Sequence, residues 1–85
     1  MVFGVGRVDY KIVTTELFEK KFYKIIPLNK QEDAKRRINK LKQNPYVGKP
    51  LGSPYFRELK LQKFRIYFQI FEEEVLVLLI SVSDK

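Results

Sequence analysis

The stretch YFRELKLQKFRIYFQIF, residues 55–71, threads Arg57, Lys60, Lys63 and Arg65 through aromatic and aliphatic positions. Cations interleaved with aromatic and amide side chains are what a surface needs to hold a phosphodiester and stack a base. The stretch reads as two strands, 56–61 and 64–71, joined by a tight turn at Gln62–Lys63. Side chains alternate across a sheet. Phe64, Ile66, Phe68 and Ile70 therefore share one face, and Arg65, Tyr67, Gln69 and Phe71 the other. On the first strand Leu59 and Leu61 oppose Glu58 and Lys60. If the aliphatic faces meet a core, then Glu58, Lys60, Arg65, Tyr67 and Gln69 all look outward from one uncovered sheet face. A solvated face carries polar residues in any case, and each residue alone is ordinary there. The combination of cation, aromatic and amide is what points to an anionic, base-bearing ligand.

Composition narrows the chemistry. The chain has 85 residues, no cysteine and no histidine, and a formal net charge of +7. Disulfides, thiolate metal sites and a cysteine nucleophile are excluded, as are the usual neutral-pH acid/base and the commonest zinc ligand. Glu72–Glu74 are adjacent on an expected turn, where side chains diverge, so a solvated turn is the better reading than a metal site. Residues 4–7, GVGR, precede a strand and lack the spacing of a phosphate loop. The longest apolar run, Val75–Ile80, is far too short to span a membrane, and no secretory signal is evident. The expected address is the cytoplasm, with no membrane partner. A basic domain of this size suggests an anionic partner, nucleic acid first.

The elements that would position these residues follow from periodicity. VDYKIVTT predicts a strand over 7–13. Phe18, Phe22 and Ile25 form an amphipathic stripe for a helix over 15–26, with a threonine as N-cap and Pro27 as its stop. A second, strongly basic helix is expected over 29–43, opened by an Asn29/Glu32 capping box and carrying Ala34, Ile38 and Leu41 as its apolar stripe. Residues 46–54, YVGKPLGSP, read as a loop. A third strand of the C-terminal meander is expected over 74–82, after a turn at Glu72–Glu73. The whole chain, residues 1–85, is thus expected to form one α+β domain of order βααβββ. Its antiparallel sheet should carry a two-helix hairpin on one face.

The C-terminal half resembles the RelE/ParE superfamily of toxins from type II toxin–antitoxin pairs. The residues that carry the likeness are Asn44–Pro45, Lys49–Leu51, Lys60 in the first motif strand, Phe64–Arg65 in place of a Tyr-Arg pair, the acidic turn, Leu79–Val82 and Lys85. Glu58 stands where the motif has its first basic position. It could act as a base, pair with Arg57 or Lys60, or weaken the enzyme. The resemblance implies a RelE-like endoribonuclease that cleaves ribosome-bound mRNA with neither metal nor other cofactor, through attack of a 2′-hydroxyl that leaves a 2′,3′-cyclic phosphate. It also implies catalytic roles for Lys60, Arg65 and Lys85, and substrate contacts from Arg57, Glu58, Tyr67 and Gln69. Lys35, Arg36 and Arg37 on the basic helix would contact ribosomal RNA through salt-sensitive phosphate contacts, the alternative being a plain solvated helix face. The implied partners are a cognate antitoxin, the ribosome and mRNA, in a homodimer or a toxin–antitoxin heterotetramer. The free toxin should expose apolar surface near its helices beside the basic face. The rival readings are a ParE-like inhibitor of DNA gyrase and a catalytically degenerate member that only binds its antitoxin.

Overall fold

A computed structural model describes residues 9–84; the Arg7–Val8 part of the first expected strand and the expected catalytic Lys85 lie outside the described residues. The elements run β1 (Lys11–Thr14), α1 (Glu16–Ile25), α2 (Leu28–Asn39), β2 (Lys49–Ser53), β3 (Phe56–Leu61), β4 (Phe64–Phe71) and β5 (Leu76–Ser83), with short 3₁₀ turns at Lys40–Lys42 and Pro45–Val47 between α2 and β2. The five strands form one sheet in the order β1-β5-β4-β3-β2. The α+β class, the two helices and the β3–β4–β5 meander agree with the sequence reading.

Three features depart from it. The sheet is mixed, because β1 pairs in parallel with β5, Lys11 opposite Leu76 through Thr14 opposite Leu79. Residues 49–53, expected as loop, form the edge strand β2 against β3. An edge strand tolerates Pro50 and Gly52, because only one side of its backbone is needed for pairing. The helix α2 begins at Leu28 with Pro27 as N-cap, and no side chain caps it, so the Asn29/Glu32 capping box does not form. The proline's φ of −59° is already set for a helix start. The side-chain amide of Gln31 instead turns back to the Ile26 carbonyl at 2.9 Å.

The first helix starts as its sequence predicts. Thr15 Oγ1 accepts from Phe18 N at 3.0 Å. That hydroxyl also lies 3.1 Å and 3.0 Å from the carbonyls of Leu79 and Ile80, and Thr15 N donates to Leu79 O. Those carbonyls sit at a bulge, where Tyr67 pairs with Ser81 but Phe68 pairs with Leu79. One residue therefore ties the helix start to the sheet's irregular strand. The bulge also resets the alternation of β5. Val77, Leu79 and Val82 are all buried, while Ser81 and Ser83 face the same side as Tyr67 and Arg65.

Both helices cover one sheet face. Phe18, Phe22 and Ile26 from α1 and its end, with Ala34 and Ile38 from α2, join Leu61, Phe64, Ile66, Phe68, Ile70, Val77, Leu79 and Val82 in one core. Burying an aliphatic or aromatic side chain of this kind contributes about 1.5–3 kcal/mol, so the period-2 pattern of β4 alone fixes its register. The other sheet face is left uncovered by helices, and it carries Glu58, Lys60 and Arg65.

A cationic pocket at the edge of the sheet

The β3–β4 register builds the candidate site. Lys60 pairs with Arg65, Glu58 with Tyr67 and Phe56 with Gln69, so these six side chains share the open face. The turn between the two strands closes through Gln62, whose φ of 59° places it in the left-handed region. At the sheet edge Lys49 of β2 pairs with Glu58 and adds a further cation to that face. Around the edge, the C-terminal part of α2 comes close. An open pocket of about 620 Å³ is lined by Lys49, Glu58, Lys60 and Arg65 together with Arg37, Lys40, Val47, Gly48 and Leu59. Five of its side chains are cationic and one is a carboxylate.

The electrostatics centre on Arg65 and Glu58. The Arg65 guanidinium lies 3.7 Å from a Glu58 carboxylate oxygen, with the Arg65 side chain 34% exposed and that of Glu58 7%. At that distance the two are an ion pair without a direct hydrogen bond. Arg65 Nε is buried and has no hydrogen-bond partner among the described residues. A buried charged donor left unbonded is costly, and it marks a place where an acceptor would be favourable. Beside this pair the Tyr67 hydroxyl and Ser83 Oγ are 3.1 Å apart, which fixes the tyrosine against β5.

The structure gathers some of the sequence-derived residues and disperses others. Lys60, Arg65 and Glu58 meet in the pocket, joined by Arg37. Glu58 faces the open side as expected, but it is buried and pairs with Arg65, not with Arg57 or Lys60. Tyr67 and Gln69 share the face but do not line the pocket. Lys35 lies over the Tyr23 ring at 5.4 Å, beside the groove between β1 and the helices, and Arg36 pairs with Asp33 at 3.0 Å in solvent. Neither reaches the pocket.

Arg57 is the clearest correction. It pairs with Phe68, whose side chain is in the core, so it points to the helix side of the sheet, opposite Lys60 and Arg65. Its guanidinium donates to the carbonyls of Gly48 at 2.9 Å, Pro54 at 2.6 Å and Tyr46 at 3.0 Å, and stacks over the Tyr46 ring at 5.1 Å. Three of its N–H groups thus hold the segments that flank β2. Gly48 permits that approach: a Cβ there would meet Glu58 O and the Phe68 ring at 2.8 Å. The Asn44–Pro45 pair serves the same segment, since Asn44 Oδ1 accepts from Tyr46 N at 3.1 Å.

Two pocket cations were missed by sequence reasoning. Lys49 was hidden because β2 looked like loop. Lys40 carried a legible signal, its spacing of three from Arg37, which puts both on one side of the helix end.

Comparison with known proteins agrees with this architecture. Residues 12–84 match the family model described as ParE toxin of type II toxin–antitoxin system, parDE. Among solved structures, the toxin–antitoxin complex RelBE2 from Mycobacterium tuberculosis is similar with a TM-score of 0.80 at 20% identity, over 94% of this chain and 95% of that one. The intact E. coli RelBE complex aligns with a TM-score of 0.76 at 24% identity, over 89% of this chain and 96% of that one. Isolated E. coli RelE in one of its crystal forms aligns with a TM-score of 0.76 at 24% identity, covering 88% and 83% of the two chains. No curated protein sequence gives a match. With the family pattern running through both helices and every strand of the sheet, the chain belongs to the ParE toxin family, within the RelE/ParE toxins of type II toxin–antitoxin systems.

Proposed function

We propose that this toxin is a RelE-like endoribonuclease that cleaves mRNA on the ribosome and is held inactive by a cognate antitoxin. The observation that carries the reading is Arg65. Its Nε is buried without a partner, while its side chain is one-third exposed in a pocket lined by four other cations. The exposed part of the guanidinium would donate to a phosphodiester oxygen. In the reaction the 2′-oxygen attacks the adjacent phosphorus, the 5′-oxygen leaves with a proton, and a 2′,3′-cyclic phosphate remains. Negative charge grows on the non-bridging oxygens, where a guanidinium with fixed geometry is most effective. Lys60, directly across from Arg65, would take the 2′-hydroxyl proton or hold the same phosphate. Lys85, by resemblance, would supply charge near the leaving oxygen. Arg37 and Lys40 would receive flanking phosphates or ribosomal RNA.

The antitoxin belongs to the same reading. The structural relatives include toxins bound to RelB antitoxins. Leu17, Tyr23 and Leu28 of the helices are 49%, 53% and 82% exposed. A mainly apolar groove of about 210 Å³ between β1 and the helices, lined by Ile12, Phe18, Phe22 and Ile38 among others, would suit an amphipathic segment.

The test is primer extension on mRNA from translating ribosomes incubated with the purified toxin. Cleavage in the ribosome-bound region is expected, falling about a hundredfold in Arg65→Ala, the effect of losing one charge-assisted donor to a transition-state oxyanion. Intact mRNA with inhibited DNA supercoiling in a parallel gyrase assay would replace the nuclease reading with the gyrase one.

A further inference from the structure

We infer that Glu58 is a built-in counter-anion for Arg65, which an incoming phosphate must work against, so that the pocket binds isolated phosphate groups weakly. The inference rests on the nuclease reading for its biological meaning, but its physical content concerns only anion binding in the pocket.

The register forces a conflict. Lys60 and Arg65 are directly opposite each other on antiparallel strands, and like charges in that position repel. Glu58 lies two residues from Lys60 on the same face, with its carboxylate 3.7 Å from the Arg65 guanidinium. Among the described residues it is the one carboxylate of six charged side chains lining the pocket. It is also buried, so water screens its field poorly. A buried ion pair with no direct hydrogen bond adds little to stability, because desolvation offsets the attraction. Stability alone therefore does not account for a carboxylate at this position. Its effect is to neutralise the cationic pair when no ligand is present.

The same charge acts against the ligand. A phosphate bound to the exposed part of the Arg65 guanidinium and to Lys60 would sit beside a buried carboxylate that cannot turn into bulk water. Binding would either displace the Glu58–Arg65 pair or bear the repulsion. A single phosphate gains too few contacts to do either well. An extended RNA strand gains further contacts at Lys49, Arg37 and Lys40, which line the same pocket. Glu58 thereby makes occupation of the Arg65 position depend on flanking phosphates. This restricts the toxin to RNA presented as an extended strand, as a ribosome presents it. Glu58 is on this account a positioning residue that acts through Arg65.

Calorimetric titration of the free toxin with inorganic phosphate, and with a short RNA carrying 2′-O-methyl groups that block cleavage, tests the inference. Glu58→Gln keeps the size and shape of the side chain and removes its charge. It should bind phosphate about tenfold more tightly than the native protein. The gain for the longer RNA should be smaller, since its flanking contacts already offset the repulsion. In an Arg65→Ala background the Glu58→Gln gain should disappear, a coupling that a merely structural role would not produce. Glu58→Asp, which keeps the charge, covers the case in which Gln perturbs folding; it should bind phosphate no more tightly than the native protein. Unchanged or weaker phosphate binding in Glu58→Gln, or a gain that persists without Arg65, overturns the inference. Since no ribosome or cleavage enters these titrations, failure of the nuclease reading would appear separately, as intact mRNA beside unaltered anion binding.

Discussion

Arg57 and Arg65 lie on adjacent antiparallel strands, eight residues apart, and meet opposite fates. Arg57 points to the helix side and donates to three backbone carbonyls while its plane covers the Tyr46 ring. Arg65 points to the open side, where among the described residues it has one carboxylate at ion-pair distance and its buried Nε bonds to nothing. The residue type is identical and the local sequence similar, a cation between apolar neighbours. The difference lies in what the rest of the chain brings to each. The segment 46–54 delivers carbonyls to Arg57, whereas the cationic neighbours of Arg65 leave its donors free. An arginine committed to three backbone carbonyls is architecture. Arg65 makes no such commitment among the described residues, and one-third of its side chain stays exposed in the pocket.

The largest effect expected from this contrast is on stability at Arg57. Arg57→Ala removes three charge-assisted bonds and a cation–aromatic contact, and leaves carbonyls without their donor. Hydrogen bonds to charged groups contribute about 1.5–3 kcal/mol each but do not sum fully, and part of this site is in solvent, so a loss of about 3 kcal/mol is expected. In a domain of this size that lowers the melting temperature by roughly 10–20 °C. Arg57→Lys should recover little, because an ammonium cannot reach three diverging carbonyls from one plane. A melting temperature within a few degrees of the native value would show that the clamp is ornamental and would erase the contrast.

What made one arginine's fate readable and the other's not is a matter of distance along the chain. Within β4 the period-2 pattern determined which residues are buried, and Phe64, Ile66, Phe68 and Ile70 are all in the core. Thr15 was legible as a cap, because capping involves residues three apart. Alternation already set Arg57 beside Leu59 and Leu61, but its hold on the backbone was not legible, because its partners are carbonyls, which carry no side-chain signature, delivered by a segment whose prolines and glycines conceal an edge strand. The parallel pairing of β1 with β5 joins residues more than sixty positions apart, and nothing local encodes it. The bulge at Ile80–Ser81 breaks strict alternation, so the open-face serines of β5 could not be assigned from pattern alone. The cationic face itself was legible. Its one buried carboxylate was not, because alternation gives a side but not a depth.

A second, smaller effect concerns stability at Arg65. From sequence, an outward-facing arginine would change stability by no more than about 1 kcal/mol on removal. The structure alters that expectation, because Arg65→Ala strands the Glu58 carboxylate in a buried position. Breaking one side of a buried pair is destabilising, here moderated by the one-third exposure of Arg65, and a loss of about 1–2 kcal/mol follows. Adding Glu58→Gln to Arg65→Ala should restore most of it, since no charge is then left unpaired. Urea denaturation of the two single variants and the double variant measures this directly. An additive outcome, with the double variant worse than Arg65→Ala alone, would mean that the two side chains do not act as a pair.

The smallest effect lies at the outer end of the Arg57 assembly and appears only in alkali. Tyr46, stacked beneath Arg57, donates its hydroxyl to the Glu72 carboxylate, and the Tyr10 hydroxyl donates to the same group at 3.1 Å. Tyr10 is held above the ordinary tyrosine value of 10.0, first by burial and then by its hydrogen bond to Glu72 and that residue's negative charge. A raised value means that the folded state favours the neutral phenol. Its contribution to stability is thus fully present below the unfolded value near 10 and is lost as pH rises through the folded value. Thermal melts between about pH 8 and about pH 11 should therefore fall less steeply for Tyr10→Phe than for the native protein, against a common background from the other tyrosines and the lysines. Glu72→Gln should give an intermediate slope, because it removes the carboxylate's charge but leaves burial, the larger cause, in place. If Glu72→Gln instead matched Tyr10→Phe, the carboxylate would be the dominant cause. The clasp that ties the start of β1 to the Arg57 segment would then be electrostatic in origin, more like the Arg65 pocket than the carbonyl-saturated site it adjoins.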